Sequence, residues 1–255
     1  MTDDLAQRLQ AVLRTVGALG TEVHECGPFT LLVDPNDPLI HFNYAMPREP
    51  VGGDLSAELA ALRALFKRLQ RVPRLEFLEE FAPALAGELE RAGFALELRQ
   101  PLMTCTDERL VRPPVPAGVA VELVDEEAPL TTLRDLHELM DAAFEVETPR
   151  DALRDPALDG GGAVVLRRDD VAVAAGTWLP PCDGFVELGG VATAAPHRRQ
   201  GLGALATALA TDHAMAAGGR LVFLTPGGDC SRRVYERIGF RAALTMLAYR
   251  ASPAS

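Results

Sequence analysis

The sequence predicts an α/β or α+β layer fold in which helices flank a mixed central sheet. Three observations lead to this prediction: alternating strand and helix patterns over residues 119–250, a proline-rich break before them, and a repeat that links the two halves of the chain. The chain has 255 residues, and 48% of them are hydrophobic. That length and composition suit a sizeable buried core in one large domain or two ordinary ones.

The proline-rich break is the clearest boundary in the chain. The segment "RPPVPAG" at residues 112–118 has three prolines in four positions, and such a run can neither continue a helix nor lie inside a sheet. We therefore place a linker or domain edge at roughly residues 104–118. This boundary predicts an N-terminal domain of residues 1–105 and a C-terminal domain of residues 106–255.

Beyond the break, apolar strand-like runs alternate with helical patterns. The turn signals "RRDD" and "PPCDG" separate successive strands, and an alanine- and leucine-rich run predicts a helix after residue 201. The predicted elements are, in chain order, a strand at 119–123, a helix at 129–143, strands at 162–167, 171–178 and 185–193, a helix ending near 217, a strand at 221–225, a helix at 230–238 and a strand at 240–250.

Two segments of the chain repeat one another without a gap. "RLEFLEEFAPALAGELERAGFALEL" begins at residue 74 and "RLVFLTPGGDCSRRVYERIGFRAAL" begins at residue 220, an offset of 146 residues. The shared "ER-x-GF" falls in equivalent predicted elements, which indicates an internal duplication. At three equivalent positions the residue type differs between the copies: Gly201, Gly203 and Tyr235 correspond to Leu55, Ala57 and Leu89. Only the second copy keeps these features.

A basic glycine loop, "HRRQGLGA" at residues 197–204, precedes the alanine-rich helix. Glycine lets backbone N–H groups approach a ligand closely, and a helix N-terminus adds unpaired N–H donors and partial positive charge. Together these suit a pyrophosphate, whose charge Arg198 and Arg199 would neutralise. The P-loop pattern is absent. A G-x-G-x-x-A variant keeps a dinucleotide site open, although the loop lies late in the chain for such a site. A plain basic turn is the other alternative.

The pattern Arg198-x-x-Gly201-x-Gly203 resembles the acetyl-CoA motif of the GNAT superfamily of N-acetyltransferases. "RRVYERIGFR", about thirty residues on, resembles the closing helix and strand of that family. The resemblance covers residues 106–255 directly and residues 1–105 through the repeat. It implies a GNAT fold with two GNAT-like halves, of which the N-terminal half is degenerate at the cofactor loop.

The resemblance also implies an N-acetyltransferase that moves the acetyl group of acetyl-CoA to a small primary amine by direct attack. Tyr235 would be the general acid for the departing thiolate, and Glu187 would be the base. The strand segment implied to pair with the pantetheine arm and polarise the thioester carbonyl consists of Val191, Ala192 and Thr193. The N–H groups implied to bind the CoA pyrophosphate belong to Arg199, Gln200, Gly201, Leu202, Gly203 and Ala204.

One departure from the family pattern keeps a second function open. The family asparagine about a turn before the tyrosine is absent, since this region reads "GGDCSRR". A non-catalytic CoA-binding or regulatory module is therefore the alternative to an enzyme.

Charge and cysteine usage narrow the expected partners. The formal net charge of −11 argues against nucleic acid and favours a cationic small molecule such as an amine. The four cysteines form no C-x-x-C pair, so neither a zinc site nor a disulfide framework is expected. No leader and no membrane-length apolar run is evident. We expect a cytoplasmic protein without a metal, either a monomer whose two halves form a pseudo-dimer or a homodimer.

Overall fold

The computed structural model describes residues 2–125, 127–144 and 160–251. These residues form two units. Unit 1 contains the described residues up to Leu102 and those from Ala242 onward, whereas unit 2 runs from Met103 to Arg241. Each unit has a mixed sheet flanked by helices, so the predicted fold class is confirmed.

The elements follow one another in a similar order in both units. Unit 1 contains α1 (Thr2–Gly17), β1 (Glu22–Cys26), β2 (Phe29–Val33), β3 (Asn43–Pro47), α2 (Ser56–Arg68), β4 (Arg74–Leu78), α3 (Leu85–Arg91) and most of β5 (Phe94–Cys105). Unit 2 contains β6 (Ala120–Val124), α4 (Leu130–Phe144), β7 (Gly162–Arg168), β8 (Val171–Trp178), β9 (Phe185–Thr193), α5 (Leu202–Ala216), β10 (Leu221–Leu224) and α6 (Asp229–Arg237). None of the helices in the described ranges is long and apolar enough to cross a membrane.

The predicted elements of the second half are confirmed, and the bounds of β8 and β9 agree with the prediction at both ends. β5 continues two residues past the approximate start of the predicted linker. Thr104 and Cys105 belong to β5, because they pair with Phe223 and Val222 of β10 in an antiparallel ladder. A sequence break marked by prolines could not reveal this pairing, since the partner strand lies more than a hundred residues away.

The last strand, β11 (Arg241–Ala251), leaves unit 2 and lies in unit 1. It pairs antiparallel with β4, with Met246 opposite Leu78 and Arg250 opposite Arg74. Residues 106–255 are predicted to form one domain, whereas the described residues from Ala242 onward are part of unit 1 because of this ladder. The strand order is β1-β2-β3-β4-β11-β5 in unit 1 and β5-β10-β9-β8-β7-β6 in unit 2.

The internal repeat extends further than the aligned segments. At the offset of 146 residues, α2 and α5 begin at equivalent positions, and each is preceded by an eight-residue loop after β3 or β9. The shared glycines have a structural cause. Gly93 and Gly239 follow α3 and α6 with φ of 76° and 108°, a left-handed conformation that ends a helix and favours glycine. A Cβ at Gly239 would also lie only 2.0 Å from the carbonyl oxygen of Arg109.

Helices cover both faces of the sheet in unit 2. On one face, α4 packs Leu136 and neighbouring leucines against Ala175 and Ala192. On the other face, the small residues of α5 allow the helix to lie close to β8. A Cβ at Gly176 of β8 would be 3.0 Å from the carbonyl oxygen of Ala206. This close packing brings the N-terminus of α5 against the end of β9.

Candidate functional site

The loop between β9 and α5 turns sharply just before the helix. Gly201 is the N-cap residue of α5 and has a φ of 81°, and Arg199 has a φ of 61°. Glycine adopts this left-handed conformation without the steric cost that a side chain brings. Arg199 adopts it although it has a side chain, which is uncommon and is typical of functional loops.

The turn leaves a run of backbone donors open. In the described part of the chain, the N–H groups of residues 199–204 have no hydrogen-bond acceptor. The next amide, that of Leu205, donates to the carbonyl of Gly201 at 3.0 Å. Successive free N–H groups at a helix start, bent by left-handed residues, form a concave site for an anion. We call residues 199–204 the amide cradle.

The cradle is held against the end of β9. The Nε of Arg198 donates to the carbonyl of Thr193 at 3.2 Å. A Cβ at Gly203 would lie 3.2 Å from the Oγ1 of Thr193, so a larger residue there would displace the first turn of α5. Both contacts keep the cradle beside the last residues of β9.

Positive charge surrounds the cradle. The Arg198 and Arg199 side chains are exposed, and neither forms an ion pair among the described residues. The Gln200 side chain accepts a hydrogen bond from Nη1 of Arg168 at 2.9 Å and donates to the carbonyl of Pro196 at 3.4 Å. An anion bound at the cradle would therefore meet two guanidinium groups that form no ion pair with the described residues, and guanidinium groups suit phosphate oxygens.

β9 separates from β10 just before the cradle. The two parallel strands pair from Phe185 opposite Leu221 to Glu187 opposite Phe223. Beyond that point β10 ends at Leu224, whereas β9 continues to Thr193. The second half of β9 therefore has an edge that no described strand covers.

Successive residues of β9 direct their backbone N–H and C=O groups alternately toward β8 and toward the uncovered edge. Ala194 donates its N–H to the carbonyl of Val173 on β8, so in this antiparallel register the backbone groups of Ala192 also face β8. The N–H groups of Val191 and Thr193 point the other way, toward the uncovered edge. Of the three strand residues predicted to contact the pantetheine arm, Val191 and Thr193 offer backbone groups there. Ala192 instead packs its methyl group against α4.

A β-bulge that was not predicted from the strand pattern interrupts β9 next to these residues. The ladder with β8 places Gly176 opposite Val191 and Trp178 opposite Leu188, so Thr177 stands opposite both Gly189 and Gly190. We call these two glycines the Gly–Gly bulge. Bulges are frequent next to active sites, and paired glycines inside a strand pattern were the available sequence signal.

Tyr235 lies on α6 with its ring in the core of unit 2, where it is 8% exposed. The ring packs against Phe240 with the centroids 6.1 Å apart. Burial raises the pKa of Tyr235 to about 12, because the desolvated ring disfavours the phenolate. The hydroxyl therefore remains protonated at neutral pH. This state is required of a general acid, and it is equally compatible with a role in core packing alone.

Glu187 is half-buried at the last paired position between β9 and β10. Its neighbours Val186 and Leu188 belong to the core beneath α5 and α6, so alternation directs the carboxylate to the opposite face. Gly190 approaches α4 on that same face, since a Cβ at Gly190 would be 2.9 Å from the Sδ of Met140. Glu187 and the Gly–Gly bulge thus share one face of β9.

At the equivalent helix start in unit 1, a side-chain carboxylate accepts hydrogen bonds from the first residue of the helix. The Oδ1 of Asp54, at the position equivalent to Gln200, accepts the N–H of Ser56 at 3.0 Å and its hydroxyl at 2.5 Å. The hydrogen bond from the Ser56 hydroxyl, and after it the one from the Ser56 N–H, hold the pKa of Asp54 below its usual value. The N-cap residue of α2 is Leu55 with a φ of −103°, so the left-handed turn is absent as well.

Comparisons with known proteins agree with this architecture. The model of the acetyltransferase (GNAT) family matches residues 130–240. A GCN5-related N-acetyltransferase from Kribbella flavida is 30% identical over 98% of this chain and 96% of that one, with a TM-score of 0.84. One from Sphaerobacter thermophilus is 15% identical over 100% of this chain and 94% of that one, with a TM-score of 0.66.

A tandem GNAT protein from the clavulanic acid biosynthesis pathway is also similar in structure. It is 16% identical over 89% of this chain and 79% of that one, with a TM-score of 0.62. At such identities the Sphaerobacter and clavulanic acid pathway structures show a shared fold alone. No curated protein matches the chain significantly.

Proposed function

Since this chain belongs to the GNAT family of acetyltransferases, we propose that its second half transfers the acetyl group of acetyl-CoA to the nitrogen of a small primary amine. The amide cradle is the observation that carries this proposal. Its open N–H groups lie at the end of a strand with an uncovered edge. A pyrophosphate joined to an extended arm is the kind of ligand that such a pair of features accommodates.

The cradle binds the pyrophosphate in this proposal. The N–H groups of residues 199–204 donate to its oxygens, and the N-terminus of α5 supplies partial positive charge. Arg198 and Arg199 neutralise the remaining charge. Gly201 allows the left-handed turn, and Gly203 lets the first turn of α5 approach Thr193.

The uncovered edge of β9 binds the pantetheine arm. Val191 and Thr193 direct backbone groups toward this edge, so an amide-bearing chain can pair with them as a further strand. The N–H of Val191 faces the thioester carbonyl and stabilises the negative charge that develops on its oxygen.

Glu187 and Tyr235 handle the protons in the proposed reaction. Acetyl-CoA supplies a thioester whose carbonyl carbon the neutral amine attacks, forming a C–N bond as the C–S bond breaks. Glu187 takes a proton from the amine, directly or through water, and Tyr235 gives one to the departing sulfur. Burial keeps Tyr235 in the protonated form that this role needs. The chain's excess of carboxylates favours a cationic acceptor.

Incubation with acetyl-CoA and a panel of amines tests this function. The panel contains a polyamine, an aminoglycoside, amino acids and a peptide N-terminus, and we expect at least one acetylated product by mass spectrometry. Mass detection is preferable to a thiol reagent, because Cys230 is exposed. CoA binding without turnover on any amine would favour the non-catalytic CoA-binding module, and absence of CoA binding would overturn both functions.

We expect one CoA to bind per chain. In unit 1 Asp54 occupies an N–H group of the equivalent helix start, and its charge repels a pyrophosphate. β3 also extends only two residues beyond Ala45, which pairs with Leu75 of β4, so this unit offers a much shorter strand edge. Isothermal titration with CoA measures the ratio. A ratio of two would show that unit 1 keeps a second site.

A further inference from the structure

The Gly–Gly bulge determines the direction of the Val191 N–H. Before the bulge, the carbonyl of Glu187 accepts the N–H of Leu179, so its backbone groups face β8. After the bulge, Ala194 faces β8. Because backbone groups alternate along a strand, a continuous ladder over the same residues, with Gly189 and Gly190 each paired in turn, would direct the Val191 backbone groups toward β8. The bulge therefore supplies the open amide that the proposed reaction uses.

Thr177 holds the extra residue in place. Its Oγ1 accepts the N–H of Gly190 at 2.8 Å and lies 3.4 Å from the Gly190 carbonyl, to which the hydroxyl donates. Thr177 is buried, with an exposure of 7%. The hydroxyl thus satisfies both backbone groups of a residue that has no partner of its own in the ladder.

Steric contacts restrict the bulge from two sides. A Cβ at Gly189 would be 2.7 Å from the Oγ1 of Thr177, and one at Gly190 would be 2.9 Å from the Sδ of Met140. Both distances are shorter than real Cβ atoms show, so neither position accepts a side chain without movement of its neighbour. The threonine and the two glycines fit one another as a unit.

We propose that Thr177 is a positioning residue for acyl transfer, because its hydrogen bonds to Gly190 hold the bulge that aims the Val191 N–H at the thioester carbonyl. This inference rests on the proposed function, since it assigns a role to the same edge of β9. Thr177 itself acts only through the backbone of Gly190 and Val191.

Thr177→Val and Thr177→Ser test the proposal. Valine keeps the shape of threonine but removes the hydroxyl, and serine keeps the hydroxyl. We expect Thr177→Val to lower kcat about 10- to 100-fold, less than the roughly 10²- to 10³-fold cost of removing an oxyanion donor, because the donor is displaced and not lost. The CoA dissociation constant should change by less than about threefold. Thr177→Ser should restore most of the activity. Thermal unfolding of each variant identifies a general loss of stability.

Infrared difference spectra of bound acetyl-CoA labelled with ¹³C at the thioester carbonyl give a readout that needs no amine substrate. A hydrogen bond from Val191 lowers the carbonyl stretching frequency in the wild type. We expect this shift to disappear in Thr177→Val and to remain in Thr177→Ser. An unchanged shift in Thr177→Val overturns the positioning role and leaves the proposed function intact. Absence of acetyl-CoA binding to the wild type overturns both.

Discussion

Replacing Gln200 with Asp is expected to weaken CoA binding about 100-fold. The substitution copies unit 1, where Asp54 stands at the equivalent position and accepts the N–H of Ser56. The introduced carboxylate would accept the N–H of Leu202 in the same way and would place a negative charge beside the pyrophosphate. Two like charges about 5 Å apart repel by a few kcal/mol at an effective dielectric constant of about 20, which corresponds to a loss of this size.

Gln200→Asn is the matched control for that prediction. It shortens the side chain and disturbs the contact with Arg168 to a similar extent, but it adds no charge. Titration calorimetry should show CoA affinity within about threefold of the wild type for Gln200→Asn. Equal affinities of Gln200→Asp and Gln200→Asn would mean that the pyrophosphate lies away from the amide cradle.

Replacing Tyr235 with Phe is expected to lower kcat about 100-fold while CoA binding and folding are retained. The change removes only the hydroxyl, and a positioned general acid contributes roughly 10²- to 10⁴-fold. The ring contact with Phe240 remains, since phenylalanine fills the same volume. A kcat within about twofold of the wild type would assign Tyr235 to core packing alone.

The pH dependence gives an independent check on Tyr235. Its pKa is raised to about 12, so the proton-donating form is lost only as the pH rises through that value. Turnover by the wild type should therefore rise with pH as the amine loses its proton, without a decline from Tyr235 below about pH 10. An alkaline decline near pH 8 that Tyr235→Phe abolishes would contradict the raised pKa.

Together, Gln200→Asp and Tyr235→Phe distinguish an effect on CoA binding from an effect on catalysis. Gln200→Asp acts on the dissociation constant for CoA, whereas Tyr235→Phe acts on kcat. A non-catalytic CoA-binding module would respond to the first substitution and have no activity for the second to change. An enzyme responds to both.

Several features of the site were readable from the sequence because they depend on local chemistry. The alternation and turn signals around β8 and β9 place both strands at their observed bounds. Glycine at position 201, just before a helix, permits a left-handed turn, and that turn is observed. The Asp54 cap was not predicted, although an acid two residues before Ser56 is a local signal for it.

The fold class, the repeat and the position of the cradle follow from the sequence alone, since periodicity, glycine and helix starts act over a few residues. Three features are visible only in the folded chain: β11 pairs with β4, Ala192 faces β8 while Val191 faces the open edge, and Thr177 contacts Gly190. These features depend on strand register between distant segments. A shift of one residue in register reverses every backbone direction along a strand, and no local pattern in the sequence specifies that register.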